Sequence, residues 1–201
     1  MISVVVVEDQ SLVRDAIATL LSLEDDFTVV ATLKNGKDAW QWLETHPSPD
    51  IVLSDIEMPE MSGLGLAEKL HHSNLSCTLL FMTTFAKPGY ITQALALGVK
   101  GFILKEADSH YLIDAMHRVC KGERVIDPEL ALMALDDNNP LSEKERKALK
   151  LAGDGLKTQD IARQLFLSDG TVRNYLSEAI SKLNATNRID AARIAQRKGW
   201  L

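Results

Sequence analysis

Six side chains of complementary chemistry stand directly after short apolar runs. Glu8 and Asp9 follow Val4-Val5-Val6-Val7, Asp55 follows Ile51-Val52-Leu53-Ser54, Thr83 and Thr84 follow Leu79-Leu80-Phe81-Met82, and Lys105 follows Phe102-Ile103-Leu104. Three carboxylates brought together repel one another unless a hard cation sits among them, and oxygen donors with few protein ligands suit Mg2+. Asp9 is expected to bind that ion directly and Glu8 to bind it or its waters, with Asp55 and the backbone carbonyl of Glu57 as further ligands. An ionised aspartate is also a nucleophile towards phosphorus, with Mg2+ neutralising charge on the transferred group. Asp55 is the expected nucleophile, Lys105 a fixed cation for one phosphoryl oxygen, and Thr83 a hydroxyl that bonds another once the phosphate is present. Taken singly, each residue reads more simply as a solvated loop acid, a strand-end cap or a surface ion pair. The order acid pair, acid, hydroxyl, lysine at successive run ends is what points to chemistry.

For these residues to meet, the runs must be neighbouring strands. Strands are predicted at 2–7, 27–32, 50–54, 76–82 and 101–104, and helices at 11–22, 35–46, 63–73, 87–97 and 109–122. Strand and helix alternate, and runs such as Ile51-Val52-Leu53 are apolar on successive positions, as in a sheet covered on both faces. The pattern predicts an α/β, doubly wound (βα)5 fold with a five-stranded parallel sheet, in which loops at the carboxyl ends of the strands converge on one crevice. Leu12, Ala16, Thr19 and Leu20 are expected to share one face of the first helix, and Leu112, Ala115, Met116 and Val119 one face of the fifth. A short helical run from Asp127-Pro128 to Leu135 leads into the linker-like Asp136-Asp137-Asn138-Asn139-Pro140. Beyond it the pattern is all helical, near 142–153, 158–165, 168–183 and 188–198, with Gly153 and Gly155 ending the first helix and Ser168 capping the third. The expected division is 1–122, a linker with a short helix at 123–140, and a small all-α four-helix domain at 141–201.

The 201 residues are 46% hydrophobic and 25% charged, which argues for folded globular domains over disorder. The apolar runs fall far short of the ~20 residues that cross a hydrocarbon core, so no membrane insertion is expected. The chain opens straight into a strand-like run without a basic segment and a longer apolar stretch, so a cytoplasmic protein is expected. Cys77 and Cys120 lie in apolar patterns without metal-ligand spacing and read as buried free thiols. Residues 1–140 carry ten Lys/Arg against 21 Asp/Glu and residues 141–201 twelve against seven, net charges of −11 and +5. A basic module on an acidic body fits a polyanionic partner for that module.

Glu8-Asp9-Gln10, Asp55-Ile56-Glu57-Met58-Pro59, Thr83-Thr84 and Phe102-Ile103-Leu104-Lys105 resemble the receiver domain of two-component response regulators, over roughly residues 1–122. The resemblance implies that a sensor histidine kinase donates the phosphoryl group to Asp55 and that Phe102 is the aromatic switch residue. Gly63 and Gly98 fit the family's loop positions. Glu8 stands where many members have aspartate, which alters the outer sphere of the metal.

In the C-terminal part, Ile161, Leu165, Val172, Leu176 and Ile180 could form the core of a helix-turn-helix. Leu141-Ser142-Glu143-Lys144-Glu145, Asp160-Ile161-Ala162, Leu167-Ser168-Asp169-Gly170-Thr171-Val172-Arg173-Asn174-Tyr175 and Lys182-Leu183 resemble the LuxR-type helix-turn-helix of the NarL/FixJ class. The resemblance implies promoter DNA as partner, with the helix at Ser168 in the major groove. Arg173, Asn174 and Ser177 are the expected base-edge contacts, and Lys157, Thr171, Lys182 and Arg188 the phosphate contacts. Ser177 and Tyr175 stand where many members carry lysine and histidine, leaving fewer charges at the groove. Within the class, Asp55–Pro59, Thr83–Tyr90, Thr171–Tyr175 and Lys198-Gly199-Trp200 are similar to a bacillary regulator of a lipid desaturase, which implies a membrane-lipid target gene. Phosphorylation is expected to draw Thr83 inward, repack Phe102 and produce a homodimer, through the first and fifth helices or through the fourth helix and fifth strand. The likeness favours the former.

The rival reading is an aspartate-nucleophile phosphatase, because Asp55-Ile56-Glu57 places two acids two apart. Such enzymes carry the nucleophile on the first strand, whereas here it follows the third and a helix-turn-helix comes after. No enzyme is expected beyond the receiver's assistance of its own phosphoryl transfer and autodephosphorylation. A second rival is a switch whose basic helices dock a protein; a steep loss of duplex binding with added salt separates the two.

Overall fold

The computed structural model describes residues 1–84, 87–135 and 138–201. Phe85 and Ala86, within the Thr83–Tyr90 phrase, and Asp136 and Asp137 of the expected linker lie outside the described residues. Two compact units divide the described residues: one α/β, reaching Leu135 but without Lys87–Tyr90, and one mainly helical, made of those four residues and the chain that follows Leu135.

The α/β unit runs β1 (Ile2–Val7), α1 (Ser11–Ser22), β2 (Phe27–Leu33), α2 (Gly36–Thr45), β3 (Ile51–Ser54), α3 (Gly63–His71), β4 (Thr78–Thr83), α4 (Pro88–Ala96), β5 (Gly101–Leu104), α5 (Ser109–Cys120), β6 (Val125–Ile126) and α6 (Pro128–Leu135). All strand pairs are parallel, in the order β2-β1-β3-β4-β5-β6. Val4 to Val7 and Ile51 to Leu53 are at most 1% exposed, which explains why these strands are apolar at every position rather than alternating. The five expected strands are present, and Val125–Ile126 adds a sixth. Two residues after the Gly122 turn are too short to carry a strand pattern, and only pairing with Gly101 and Phe102 makes them one.

Two expectations need correction. The first-helix stripe Leu12, Ala16, Thr19, Leu20 is not the packed face: Leu12 is 82% exposed, while Ile17 and Leu21 are buried and Val13 and Leu20 pack against the same core. Both stripes satisfy helical spacing, and the one with bulkier side chains, Val13-Ile17-Leu21, is the one the sheet takes. Cys120 is exposed, because it lies one residue past the buried Val119 and off the stripe of α5 that faces the sheet; Cys77 is half-buried. The α5 stripe Leu112, Ala115, Met116, Val119 is buried as expected.

The helical unit contains α7 (Glu143–Gly153), α8 (Thr158–Leu165), α9 (Asp169–Lys182) and α10 (Arg188–Lys198). Its core gathers Leu149, Ile161, Val172, Leu176, Ala191 and Ala195, with Leu165 and Ile180 packed at the edge. Ser142 caps α7 by accepting the Glu145 N–H, while the Glu145 carboxylate accepts the Ser142 N–H, a reciprocal arrangement announced by Ser-x-x-Glu. Among the described residues no helix is long and apolar enough to cross a membrane.

Candidate functional site

The strand order reverses direction between β1 and β3, so the connections that leave these two strands diverge to opposite faces and open a crevice at their carboxyl ends. Register decides what fills it. Val7 pairs with Ser54, which sets Glu8 beside Asp55, and Thr83 pairs with Leu104, which sets Lys105 just beyond Thr83. The Asp55 N–H donates to the Val7 carbonyl and the Lys105 N–H to the Thr83 carbonyl, so the ladder itself holds the backbone of both functional residues.

Carboxylate oxygens of Glu8, Asp9 and Asp55 lie within 4.8 Å of one another. Glu8 is 1% and Asp55 8% exposed, whereas Asp9 is open to solvent. The Lys105 ammonium bridges the two buried acids, 2.7 Å from Glu8 Oε2 and 2.9 Å from Asp55 Oδ2. Burial pushes the Glu8 carboxyl above its ordinary range, and the bond from Lys105 offsets only part of this. Burial works to lower Lys105, yet its bonds to Glu8 and Asp55 outweigh it and the ammonium is held more firmly charged. The other Asp55 oxygen, Oδ1, accepts the Ile56 N–H at 2.6 Å. Thr83 is buried at the end of β4. Phe102 is fully buried on β5, its ring edge-on to Phe81 with centroids 5.5 Å apart.

The donors fit a hard divalent cation. Three carboxylates face one lysine, all ligand atoms are oxygens, and the exposed Asp9 gives access from solvent. The acidic cluster can therefore bind a metal. Glu57 is exposed on the loop that follows.

That loop is positioned by Gly63, already expected at a loop position of the family, and by residues that sequence reasoning passed over. Gly63 at the start of α3 has no room for a Cβ, which would run into the Asp55 carbonyl oxygen and lie 2.7 Å from the Phe81 ring. Glu60 adopts φ +61° and is held by Lys37 Nζ at 3.0 Å and more loosely by Asn35 Nδ2 at 3.5 Å, while the Gly36 N–H donates to the Met61 carbonyl. Asn35-Gly36 is a visible turn signal, but its tie to a loop 25 residues away is not. Arg14 reaches back to the Glu8 carbonyl at 2.7 Å and steadies the loop between β1 and α1.

In the helical unit, Ser168 caps α9 by accepting the Thr171 N–H at 3.1 Å, and its hydroxyl also lies 2.9 Å from the Thr171 hydroxyl. Arg173, Asn174 and Ser177 are exposed and share one face of α9 at helical spacing, opposite the buried Val172, Leu176 and Ala179. Lys157 is exposed beside α8 and Arg188 half-buried at the start of α10. Lys182 differs from the other expected phosphate contacts: its ammonium donates to both carboxylate oxygens of the buried Glu145, each at 2.8 Å. Two of its three N–H donors are thus committed inside the domain.

Two family models match the chain: the response regulator receiver domain over residues 4–117 and the bacterial regulatory proteins of the luxR family over residues 139–195. Among curated proteins, the transcriptional regulatory proteins YvfU and DesR of Bacillus subtilis (strain 168) are similar over essentially their whole length. YvfU is 44% identical, covering 100% of both chains, and DesR 41%, covering 100% of this chain and 99% of its own. Among solved structures, the response regulator ChrA of a heme-sensing two-component system matches with a TM-score of 0.56 at 29% identity, over 100% of this chain and 98% of that one.

Proposed function

Because the chain belongs to the two-component response regulators with a LuxR-type DNA-binding domain, we propose that Asp55 is its phosphoacceptor and that phosphorylation controls a promoter-binding homodimer. The protein is a transcription regulator and not an enzyme, as its full-length relatives are. The observation that carries the phosphoacceptor reading is the Lys105 bridge between Glu8 and Asp55 at the topological crevice.

In this reading a sensor histidine kinase presents a phosphohistidine. An Asp55 carboxylate oxygen forms the new bond to phosphorus while the bond to the histidine nitrogen breaks and its electron pair returns to the imidazole. Lys105 moves its hydrogen bond from the Asp55 carboxylate to a phosphoryl oxygen, and the Thr83 hydroxyl donates to another. Glu8, Asp9, Asp55 and the Glu57 carbonyl would hold Mg2+, which supplies charge neutralisation on the transferred group. Phe102 repacks as Thr83 shifts, and the altered surface favours receiver pairing through α1 and α5, where Leu12 and Leu23 on and just past α1 are 82% and 75% exposed. The working division is a receiver at 1–122, a connection at 123–140 whose β6 and α6 extend the α/β unit, and an output domain at 141–201.

Paired output domains place two copies of α9 on adjacent half-sites. Arg173, Asn174 and Ser177 read base edges, and Lys157, Thr171 and Arg188 touch phosphates, joined by the remaining N–H of Lys182. Such a regulator works in the cytoplasm beside the chromosome. The likeness to DesR supports a membrane-lipid gene, such as a desaturase, as the target.

Incubation with a phosphodonor and Mg2+ is expected to add one phosphoryl group to the wild type and none to Asp55→Asn, read by intact mass. Equal incorporation in both would overturn the assignment of Asp55. A footprint of the phosphorylated protein on genomic DNA checks the target; protection confined to promoters without lipid genes removes that part.

A further inference from the structure

Among the described residues, six helices end with the same backbone device. A residue in the left-handed region donates its N–H three residues back, and its successor donates five residues back, so that the last free carbonyls are satisfied. The pairs are Gly98 to Leu95 with Val99 to Ala94, Gly122 to Val119 with Glu123 to Arg118, Gly155 to Ala152 with Leu156 to Leu151, and Gly199 to Gln196 with Trp200 to Ala195. Asn184 to Ser181 with Ala185 to Ile180 makes the fifth, and Phe166 to Arg163 with Leu167 to Ala162 the sixth. Their φ angles lie between +49° and +88°. Four positions hold glycine and one asparagine, the residues that tolerate this conformation at least cost. Phe166 is the exception among the described residues, a bulky side chain at φ +56° that is moreover 95% exposed.

Neither the fold of the domain nor its solubility accounts for this ring. The hydrophobic anchor of the turn is the next residue, Leu167, which packs on the core, whereas Phe166 carries only the backbone strain and the exposed apolar area. Its place is informative. It is the turn between α8 and α9, two residues before the Ser168 cap, with exposed Arg163 one turn earlier and exposed Arg173 one turn into α9. In a helix-turn-helix the first helix crosses the sugar-phosphate backbone and the second enters the major groove, so the turn between them meets the lip of the groove. The surrounding module is the basic one, net +5.

Resting on the reading of residues 141–201 as a duplex-binding domain, we propose that Phe166 is a DNA-contact residue whose ring packs on the deoxyribose edge at the groove lip. The contact is uncharged and indifferent to sequence. The strained turn holds the ring outward where a flexible loop would let it fold back.

The test uses the full chain treated with acetyl phosphate and Mg2+, and a fluorescent random-sequence duplex of about two helical turns, ~21 base pairs. Phe166→Gly and Phe166→Asn, both at home in the left-handed region, are expected to keep or raise the melting temperature. Each is expected to lower duplex affinity about fivefold to tenfold at fixed salt. Because no phosphate is neutralised, the slope of log K against log salt stays that of the wild type, whereas Lys157→Ala lowers it by about one. A wild type that fails to bind the duplex overturns the DNA reading and this inference with it. A wild type that binds while both variants bind equally well overturns the inference alone. So does a variant that melts lower, which would make the ring a part of the fold, or one that keeps its duplex affinity and loses only transcription in a purified system, which would make the partner a protein.

Discussion

Lys105 stands between two carboxylates that are almost out of solvent, so a neutral side chain of similar length there leaves two buried negative charges facing each other. Lys105→Met is expected to cost about 3 kcal/mol of stability at neutral pH in the absence of Mg2+, measured by urea unfolding. Burial already pushes Glu8 up from 4.5. A carboxyl with a raised folded-state pKa favours the fold while protonated and loses that contribution as pH rises through the folded value. The deficit of the variant is therefore widest above that value and narrows on acidification. Mg2+ should raise the melting temperature of the variant more than that of the wild type, because Lys105 no longer competes for the acids; an equal shift in both would remove that competition from the account. At this scale the sequence was most legible, since Glu8, Asp9, Asp55, Thr83 and Lys105 are announced by their places after apolar runs. Arg14, Asn35 and Glu60 were not, because each acts through a contact made across a loop, to a carbonyl or a carboxylate that spacing along the chain does not reveal.

At the scale of elements, α7 and α9 are tied by Glu145, which closes the cap of α7 and receives both bonds from Lys182 at the end of α9. Burial acts to raise the Glu145 carboxyl, but the Lys182 and Ser142 bonds outweigh it and hold it below 4.5. A lowered folded-state pKa means a contribution fully present above 4.5 and lost as pH falls through the folded value. Glu145→Gln keeps the shape of the side chain, and it is expected to lower the stability of the helical unit by about 1 kcal/mol at neutral pH, a figure discounted for the exposed side of Lys182. Near the acid end the difference should vanish, as thermal unfolding followed by circular dichroism would show; a constant difference at all pH values would refute the pair as its source. Ser142 and Glu145 have the Ser-x-x-Glu spacing of a capping box, which sequence reasoning did not single out, and the partner of Glu145 lies 37 residues on and was read instead as a phosphate contact. The same limit explains α1, where two stripes of equal spacing competed and only the sheet could choose, and β6, which exists only as a partner of β5.

For the whole molecule, the division into an acidic α/β body and a basic helical module was plain in the charge count, whereas the surface by which two copies pair was not. The corrected α1 face now gives that surface content. Leu12 was expected against the sheet; exposed instead, it leaves a large apolar side chain in solvent on the helix that the α1/α5 reading uses. Burying such a side chain in an interface is worth about 1.5–3 kcal/mol, and a symmetric dimer buries it twice. Leu12→Asp leaves Lys105, Glu8 and Asp55 in place, so phosphoryl incorporation is expected to proceed as in the wild type. Its dimer constant after phosphorylation should weaken by at least tenfold in sedimentation equilibrium, since the apolar burial is lost on both protomers and a charge would have to be desolvated in its place. Promoter affinity then falls with the dimer. Wild-type dimerisation by Leu12→Asp would move the interface to α4 and β5, and an Asp55→Ala protein that dimerised and bound DNA like phosphorylated wild type at matched salt would detach phosphorylation from binding altogether.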